Sequence, residues 1–305
     1  MDTSDAWIRS RTGIRQRHIA TKETTTTLAV EAARKALQDA GTGPEELDLI
    51  LAATITPEYT IPMLSCQVQA ALGADRAVAF DINAACSGFL FALITAEQYL
   101  RSGAYQKALI IGAENLSKVM DWSDRSSSIL FGDGAGAVVI RREETDERPG
   151  LLAFSQGAKG SDGMVLSLAN RPLRNPFLSA EQQQAAREKT EYVHMDGQAV
   201  YQFAVRTIPQ AIRLTLQKCG LCEADVDLFL LHQANLRIIE SVARHLHQPM
   251  EKFPVNVDEC GNVSAASVPI LLDKIRKDGK IKENDTLVLA GFGAGLTWGV
   301  CVINW

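Results

Sequence analysis

The stretch "LQDAGTGPEELDLIL", Leu37 to Leu51, returns as "LQKCGLCEADVDLFL", Leu216 to Leu230, at a constant spacing of 179 positions. Leu37, Gln38 and Gly41 fall on Leu216, Gln217 and Gly220, and Asp48, Leu49 and Leu51 fall on Asp227, Leu228 and Leu230. In both copies a helix-period pattern is stopped by glycine and followed, after a short polar link, by a buried strand. The register continues, with Asn83 landing on Asn262 and Gly112 on Gly291. A helix-glycine-strand unit recurring without gaps predicts two homologous halves, residues 1–145 and 146–305, packed as one unit.

Outward from that unit, strand patterns ("RAVAFDI", "ALIIGAE", "AVVIRR", "DTLVLAGFG") alternate with helix patterns ("SGFLFALITAEQYLRSG", "SVPILLDKIRKDG"). Such alternation predicts an α/β fold, with sheets covered by helices. The strand-like "PGLLAFSQGAKG" (Pro149 to Gly160) opens the second half. Its first-half counterpart would fall before Met1, so either that strand is missing from this chain or the two halves differ there. Between the halves, "RREETDERPG" reads as a solvated loop, and "ANRPLRNPFLSAEQQQAAREKTEY" as proline-rich coil with a short polar helix.

The chain has 305 residues, 46% hydrophobic and 22% charged, with a net charge of −5. No apolar run is long enough to span a bilayer, and the polar N-terminus lacks a signal-peptide core, so no membrane association is expected. Mild acidity argues against nonspecific nucleic-acid binding. Six cysteines in so long a chain suit a reducing compartment, and a cytoplasmic globular enzyme is expected.

Within "FDINAACSGFLFAL" (Phe80 to Leu93), Cys86 follows a buried strand and begins a helix that is apolar on nearly every side. A helix N-terminus carries partial positive charge and unpaired N–H groups, which predicts a thiol of lowered pKa. The small residues around it permit a tight strand-to-helix turn with room for a substrate. A cysteine merely filling space fits the local sequence equally well. In "LFLLHQANLR", His232 stands at the C-terminal end of a buried strand, and Asn262 lies in the small-residue loop "DECGNVSAASVPI". A pseudo-twofold between the halves would turn both helix N-termini toward one pocket. There a histidine can donate or accept a proton, and an asparagine amide can donate to an oxyanion. The glycine-rich "GFGAGLTWG" (Gly291 to Gly299) offers backbone N–H groups, and also reads as a tight turn between the last two strands. "GDGAGA" is followed by a strand pattern rather than the helix a dinucleotide fingerprint needs. "CGLC" has no second pair and "HLH" lies near a helix end, so neither predicts a metal site.

Together, "NAACSGF", "HQANLRII", "GNVSAASVPI", "FGDGAGA" and "GFGAGLTWG" resemble the β-ketoacyl-acyl carrier protein synthase III family of the thiolase-like superfamily. The opening "DTSDAWIRSRTGIRQRHIA" is similar to that family's coenzyme A-binding segment. The resemblance implies a five-layered αβαβα fold of duplicated halves, usually a homodimer. It implies that Cys86 carries the acyl group of acyl-CoA as a thioester, with His232 and Asn262 stabilising the enolate left when malonyl-acyl carrier protein loses carbon dioxide. Backbone N–H groups of Cys86 and Ala294 would form the oxyanion hole, with Phe292 keeping the pocket apolar. Trp7 and Arg125 would sandwich the adenine of coenzyme A, with Thr3 and Arg11 nearby, and Arg237 would meet the acidic carrier protein. The resemblance implies no metal and no cofactor beyond the acyl-CoA substrate.

The sequence departs from that pattern in four places. Members of the family carry a further N-terminal segment with a first core strand. Ala294 stands where a glycine is common. Ile61 replaces a phenylalanine that reaches the partner subunit's acyl pocket, a change that would admit longer or branched acyl groups. The segment around Arg171 to Glu191 is longer. Two other readings stay open: a condensing enzyme loading a starter unit in secondary metabolism, and a cysteine hydrolase using Cys86 and His232. An inactive partner subunit is disfavoured by the intact Cys/His/Asn set.

Overall fold

Thr24 and Asp196 open the two long helices predicted by the repeat. The computed structural model describes residues 3–144, 150–170, 172–173, 175–188 and 192–305. After α1 (Asp5–Thr12) comes α2 (Thr25–Ala40), where the Thr24 hydroxyl accepts from the Thr27 amide and Gly41 ends the helix with a φ of 58°. Then follow β1 (Leu49–Ala53), α3 (Leu64–Leu72), β2 (Val78–Ile82), α4 (Gly88–Arg101), β3 (Lys107–Asn115) and β4 (Asp133–Arg141). β5 (Gly150–Ala158), β6 (Leu166–Ser167), α5 (Ala180–Glu188) and β7 (His194–Met195) lead to α6 (Gly197–Lys218), whose first amides donate to the Asp196 carboxylate. The chain ends with β8 (Leu228–Leu231), α7 (Leu236–His245), α8 (Val257–Cys260), α9 (Ser267–Lys277), β9 (Thr286–Gly293) and β10 (Thr297–Asn304).

Two four-stranded sheets form, ordered β2-β1-β3-β4 and β5-β10-β9-β8, beside a two-stranded ribbon of β6 and β7. β1 lies parallel to β3, which is antiparallel to β4; β8, β9 and β10 repeat that arrangement. Between the sheets run α4 and α9, whose Phe89, Leu90, Val268 and Leu271 share one core with Leu51, Ile110, Leu230 and Leu289. The outer face of the first sheet is covered by α2 and α3, and that of the second by α6 and α7. Five layers result, in the expected order αβαβα. Both faces of β1 are covered, which is why Leu49 to Ala53 reads as an unbroken apolar run.

The 179-residue register is visible in the backbone. Ala85 and Ser264 occupy matching turns with φ of 45° and 46°, a left-handed conformation that non-glycine residues rarely adopt. Gly112 on β3 meets the backbone of Ala265, and Gly291 on β9 meets that of Cys86 and Ser87. β3 thus supports the second half's turn, and β9 the first half's.

The halves also differ. β5 pairs with β10, whereas β4 has no strand on its outer side among the described residues. The expected boundary at 145/146 lies outside the described residues, as do Arg171 and Glu191. The N-terminal segment, assigned by sequence to the first half, touches both halves: the Ala20 amide donates to Asp133 of the first, and further bonds reach the second. Asn235 Nδ2 donates to the Arg11 carbonyl at 3.2 Å, and the Arg15 and Gln16 amides donate to the Asp258 carbonyl at 3.0 Å. The repeat begins only at α2, so its register carried no information about the segment before it.

Candidate active site

Small residues bring the pieces together. Cys86 sits in a 3-10 turn, Ala85–Ser87, immediately before α4 rather than in the helix itself. Among the described residues no side chain caps the first turn of α4, and its first N–H, that of Gly88, donates to the Ala85 carbonyl. A Cβ added to Gly293 would lie 2.7 Å from Cys86 Cβ and 3.0 Å from Sγ, so only glycine lets β9 approach the thiol this closely. The Ser87 and Thr297 hydroxyls hydrogen-bond at 2.6 Å, and Thr297 also donates to the Ala294 carbonyl at 2.9 Å. This ties the cysteine turn to the glycine-rich turn between β9 and β10.

His232 follows β8 and is held there by its amide, which donates to the Ala290 carbonyl at 2.7 Å. Its ring packs edge-on against Phe292, with centroids 5.3 Å apart. Among the described residues, Nδ1 is buried with no hydrogen-bond partner and no carboxylate orients the imidazole. Asn262 is locked by three bonds. Its amide donates to the Leu130 carbonyl, its carbonyl accepts from the Gly132 amide, and Oδ1 accepts from the Ser264 amide, each at 2.9 Å. That leaves Nδ2 as the group it can offer a ligand.

Cys86, His232, Asn262 and Phe292 line one cavity of about 660 Å³, together with Trp7, Arg11 and Arg237. The Arg125 guanidinium lies 5.2 Å from the centre of the Trp7 ring and that of Arg11 5.9 Å, so two arginines cluster on the indole. Ala294 adjoins the lining residue Gly293 without lining the cavity itself, and Thr3 is half-buried outside the lining. Ile61 is 82% exposed and outside the cavity lining.

One expectation is reversed. Burial pushes the Cys86 thiol up to about 12, the neighbouring Ser264 hydroxyl offsets part of this, and the Glu114 charge adds to it. The sequence shows that a helix follows Cys86 but not how deeply the thiol is buried, and burial is the largest influence on it. Burial also holds His232 down, from 6.5 to about 3. The resting pair is therefore neutral thiol and neutral imidazole.

Sequence reasoning missed Glu114 at the end of β3. It is fully buried and accepts from the Thr54, Thr56 and Ser264 hydroxyls and the Ile55 amide. Burial raises it from 4.5 to about 7, against those hydrogen bonds. The available signal was its register, since the 179-residue spacing places Glu114 on Gly293. Leu166 and Met195, from the irregular segment, also line the cavity and were not anticipated.

These pKa shifts predict a pH dependence. The unfolded chain protonates His232 below about 6.5 and the folded chain only near 3. The histidine's contribution is therefore fully present above pH 6.5 and is lost as pH falls toward 3. Glu114 runs the other way: its contribution is full below 4.5 and lost as pH rises through about 7. Comparing wild type with His232→Asn isolates the histidine. Denaturant midpoints should move in the variant's favour by about 1.4 kcal/mol per pH unit below 6.5. A difference that stays constant from pH 7 to 5 would show an imidazole already solvated.

Comparison with known proteins settles the family. The description "3-oxoacyl-[acyl-carrier-protein (ACP)] synthase III" matches residues 80–160, and its C-terminal counterpart matches residues 216–305. A β-ketoacyl-[acyl-carrier-protein] synthase III of Streptococcus sanguinis (strain SK36) is 47% identical, over 100% of this chain and 92% of its own length. This chain belongs to the synthase III family. The crystal structure of the 3-oxoacyl-[acyl-carrier-protein] synthase III from Aquifex aeolicus VF5 superposes with a TM-score of 0.91 at 43% identity, covering 100% of this chain and 92% of that one. The priming β-ketosynthase from the R1128 polyketide biosynthetic pathway superposes at 0.90 with 35% identity, covering 99% and 88%. Synthase III enzymes condense acyl groups, so this chain is an acyltransferase-type enzyme with the thiolase-like fold, of the kind used in fatty acid biosynthesis.

Proposed function

We propose that the 660 Å³ cavity carries out a decarboxylative condensation in two transfers. In the first, Cys86 attacks the thioester carbonyl of an acyl-CoA, its proton leaves with the coenzyme A thiolate, and an acyl-Cys86 thioester remains. In the second, malonyl-acyl carrier protein enters and its carboxylate departs as carbon dioxide. His232 and Asn262 Nδ2 donate to the enolate oxygen so formed, and the enolate carbon attacks acyl-Cys86. The Cys86 and Ala294 amides receive the tetrahedral oxyanion, whose collapse returns the Cys86 thiolate and releases β-ketoacyl-acyl carrier protein. A neutral His232 suits this work, because a donor that starts uncharged need not be discharged in an apolar pocket.

The single supporting observation is the convergence of Cys86, His232 and Asn262 on one cavity with Trp7 and Arg11 on its wall. The Trp7–Arg125 pair is the adenine clamp, a base slipping between them as the guanidinium lifts from the ring. Thr3 and Arg11 flank that clamp. Arg237, exposed beside the cavity, receives the acidic carrier protein. The working unit is a cytoplasmic homodimer in which Ile61 reaches the partner's acyl pocket, and no cofactor joins the two substrates. Among the described residues no helix is long and apolar enough to cross a membrane.

Intact mass spectrometry after exposure to an acyl-CoA panel, with and without malonyl-acyl carrier protein, tests the scheme. An adduct on Cys86 that persists alone and is discharged as β-ketoacyl product is expected. An adduct lost to water alone would instead indicate a hydrolase. The polyketide-priming relative favours a second reading, in which the same chemistry loads a starter unit for secondary metabolism. Ranking the panel by rate separates the two.

A further inference from the structure

Glu114 ends β3 out of reach of solvent, and four groups donate to its carboxylate. Three of them, Thr54, Ile55 and Thr56, belong to the same half of the molecule. The fourth, the Ser264 hydroxyl, donates at 3.1 Å from the other half. The Ser264 amide in turn donates to Asn262 Oδ1 at 2.9 Å. An unbroken line of bonds therefore runs from a buried carboxylate, through one serine, to the amide that faces the cavity.

The repeat shows what this carboxylate replaces. Glu114 is the counterpart of Gly293, and Ser264 the counterpart of Ala85. At Gly293 the strand end is bare and abuts Cys86. At Glu114 the matching strand end carries a side chain that grips the matching turn. Glycine suffices to pack this corner in one half, so the carboxylate contributes what glycine cannot, a fixed acceptor for the Ser264 hydroxyl. With that hydroxyl held, the left-handed turn at Ser264 keeps its amide on Oδ1, and the Asn262 side chain cannot flip.

We propose that Glu114 is a positioning residue for the decarboxylation step, acting through Ser264 to aim Asn262 Nδ2 at the enolate oxygen. The inference rests on the role given to Asn262 above. It separates the two transfers: acylation of Cys86 does not use Asn262 and should not depend on Glu114. Removing the Glu114 charge also relieves a repulsion that disfavours the Cys86 thiolate, so acylation has no reason to slow.

The test uses the full chain with Glu114→Gln and Ser264→Ala, and acetyl-, butyryl- or isobutyryl-CoA, whichever acylates wild type fastest. Single-turnover acylation is followed by intact mass, and carbon dioxide release from malonyl-acyl carrier protein by steady-state kinetics. Each variant should lose about tenfold or more in kcat for carbon dioxide release, the scale of a misplaced reacting group. KM for malonyl-acyl carrier protein should stay within about twofold in both variants, and acylation within about threefold in Glu114→Gln. Ser264→Ala also loses a hydroxyl beside the Cys86 thiol, so its carbon dioxide release is read per acyl-enzyme formed. Because the two residues form one line, the double variant should be no worse than the poorer single variant. Loss of acylation in proportion to condensation in Glu114→Gln, a raised KM with unchanged kcat, or full decarboxylation in both variants would overturn the proposal. Should Glu114→Gln fail to fold, Ser264→Ala decides through carbon dioxide release per acyl-enzyme formed, because the deleted hydroxyl also lies beside the Cys86 thiol. Wild type run in parallel keeps the cases apart, because absence of its own acyl-enzyme or condensation refutes the underlying scheme rather than the positioning role.

Discussion

Cys86→Ala is expected to abolish the acyl adduct on every acyl-CoA and to lower condensation by about 10⁴-fold or more, as when an enzyme loses its covalent nucleophile. The fold should survive. The side chain is small and already surrounded by Ala84, Ala85 and Gly293, so the lost sulfur costs on the order of 1 kcal/mol of packing. The effect should be confined to this cysteine. Cys301 is fully buried in the core between the sheets, and the exposed Cys222 lies outside the cavity lining. Intact mass of the variant after the same acyl-CoA panel checks this. A stoichiometric adduct on another cysteine, with condensation retained, would remove Cys86 from the mechanism.

Gly112→Ala should be the most damaging change to the fold. The added Cβ would stand 2.4 Å from the Ala265 carbonyl oxygen, 2.8 Å from its carbon and 3.1 Å from Ala266 Cα, all backbone atoms. No rotamer relieves such a contact, so either β3 or the Ser264–Ala266 turn must move. β3 is a central strand paired on both sides, which leaves the turn to shift. We expect a loss of about 3 kcal/mol or more, the upper end for overpacking, read as a lowered denaturant midpoint. Condensation should fall as well, because Ser264 and Asn262 travel with the turn. Gly291→Ala, its counterpart, meets nothing closer than 3.1 Å and should be the milder variant. A Gly112→Ala protein within about 1 kcal/mol of wild type would show that the turn yields easily.

The same two glycines mark how far the sequence could be read. Their shared register predicted the duplicated α/β architecture and set Asn262 opposite the cysteine turn, and the structure brings Cys86, His232 and Asn262 to one cavity. What escaped depends on contacts across the halves. Glu114 pairs with a glycine in the register, so a search for matching residues passes over it, and its importance comes from a serine 150 positions away. The direction of the Cys86 shift escaped for a related reason. A helix start can be read from neighbouring residues, whereas burial of the thiol depends on parts of the chain brought in by the fold, such as Gly293 of the other half, which lies against it. Ile61 and Arg125 were legible only through resemblance, since nothing local distinguishes a working side chain from an ordinary surface residue.

The crossed support of the two turns has a consequence for how this protein comes to be active. Neither half holds a working site by itself. The turn bearing Cys86 rests on β9, and the turn bearing Asn262 rests on β3 and on the Leu130 and Gly132 backbone. Under the proposed scheme, reactivity therefore needs both halves, and turnover reports that they have docked in register.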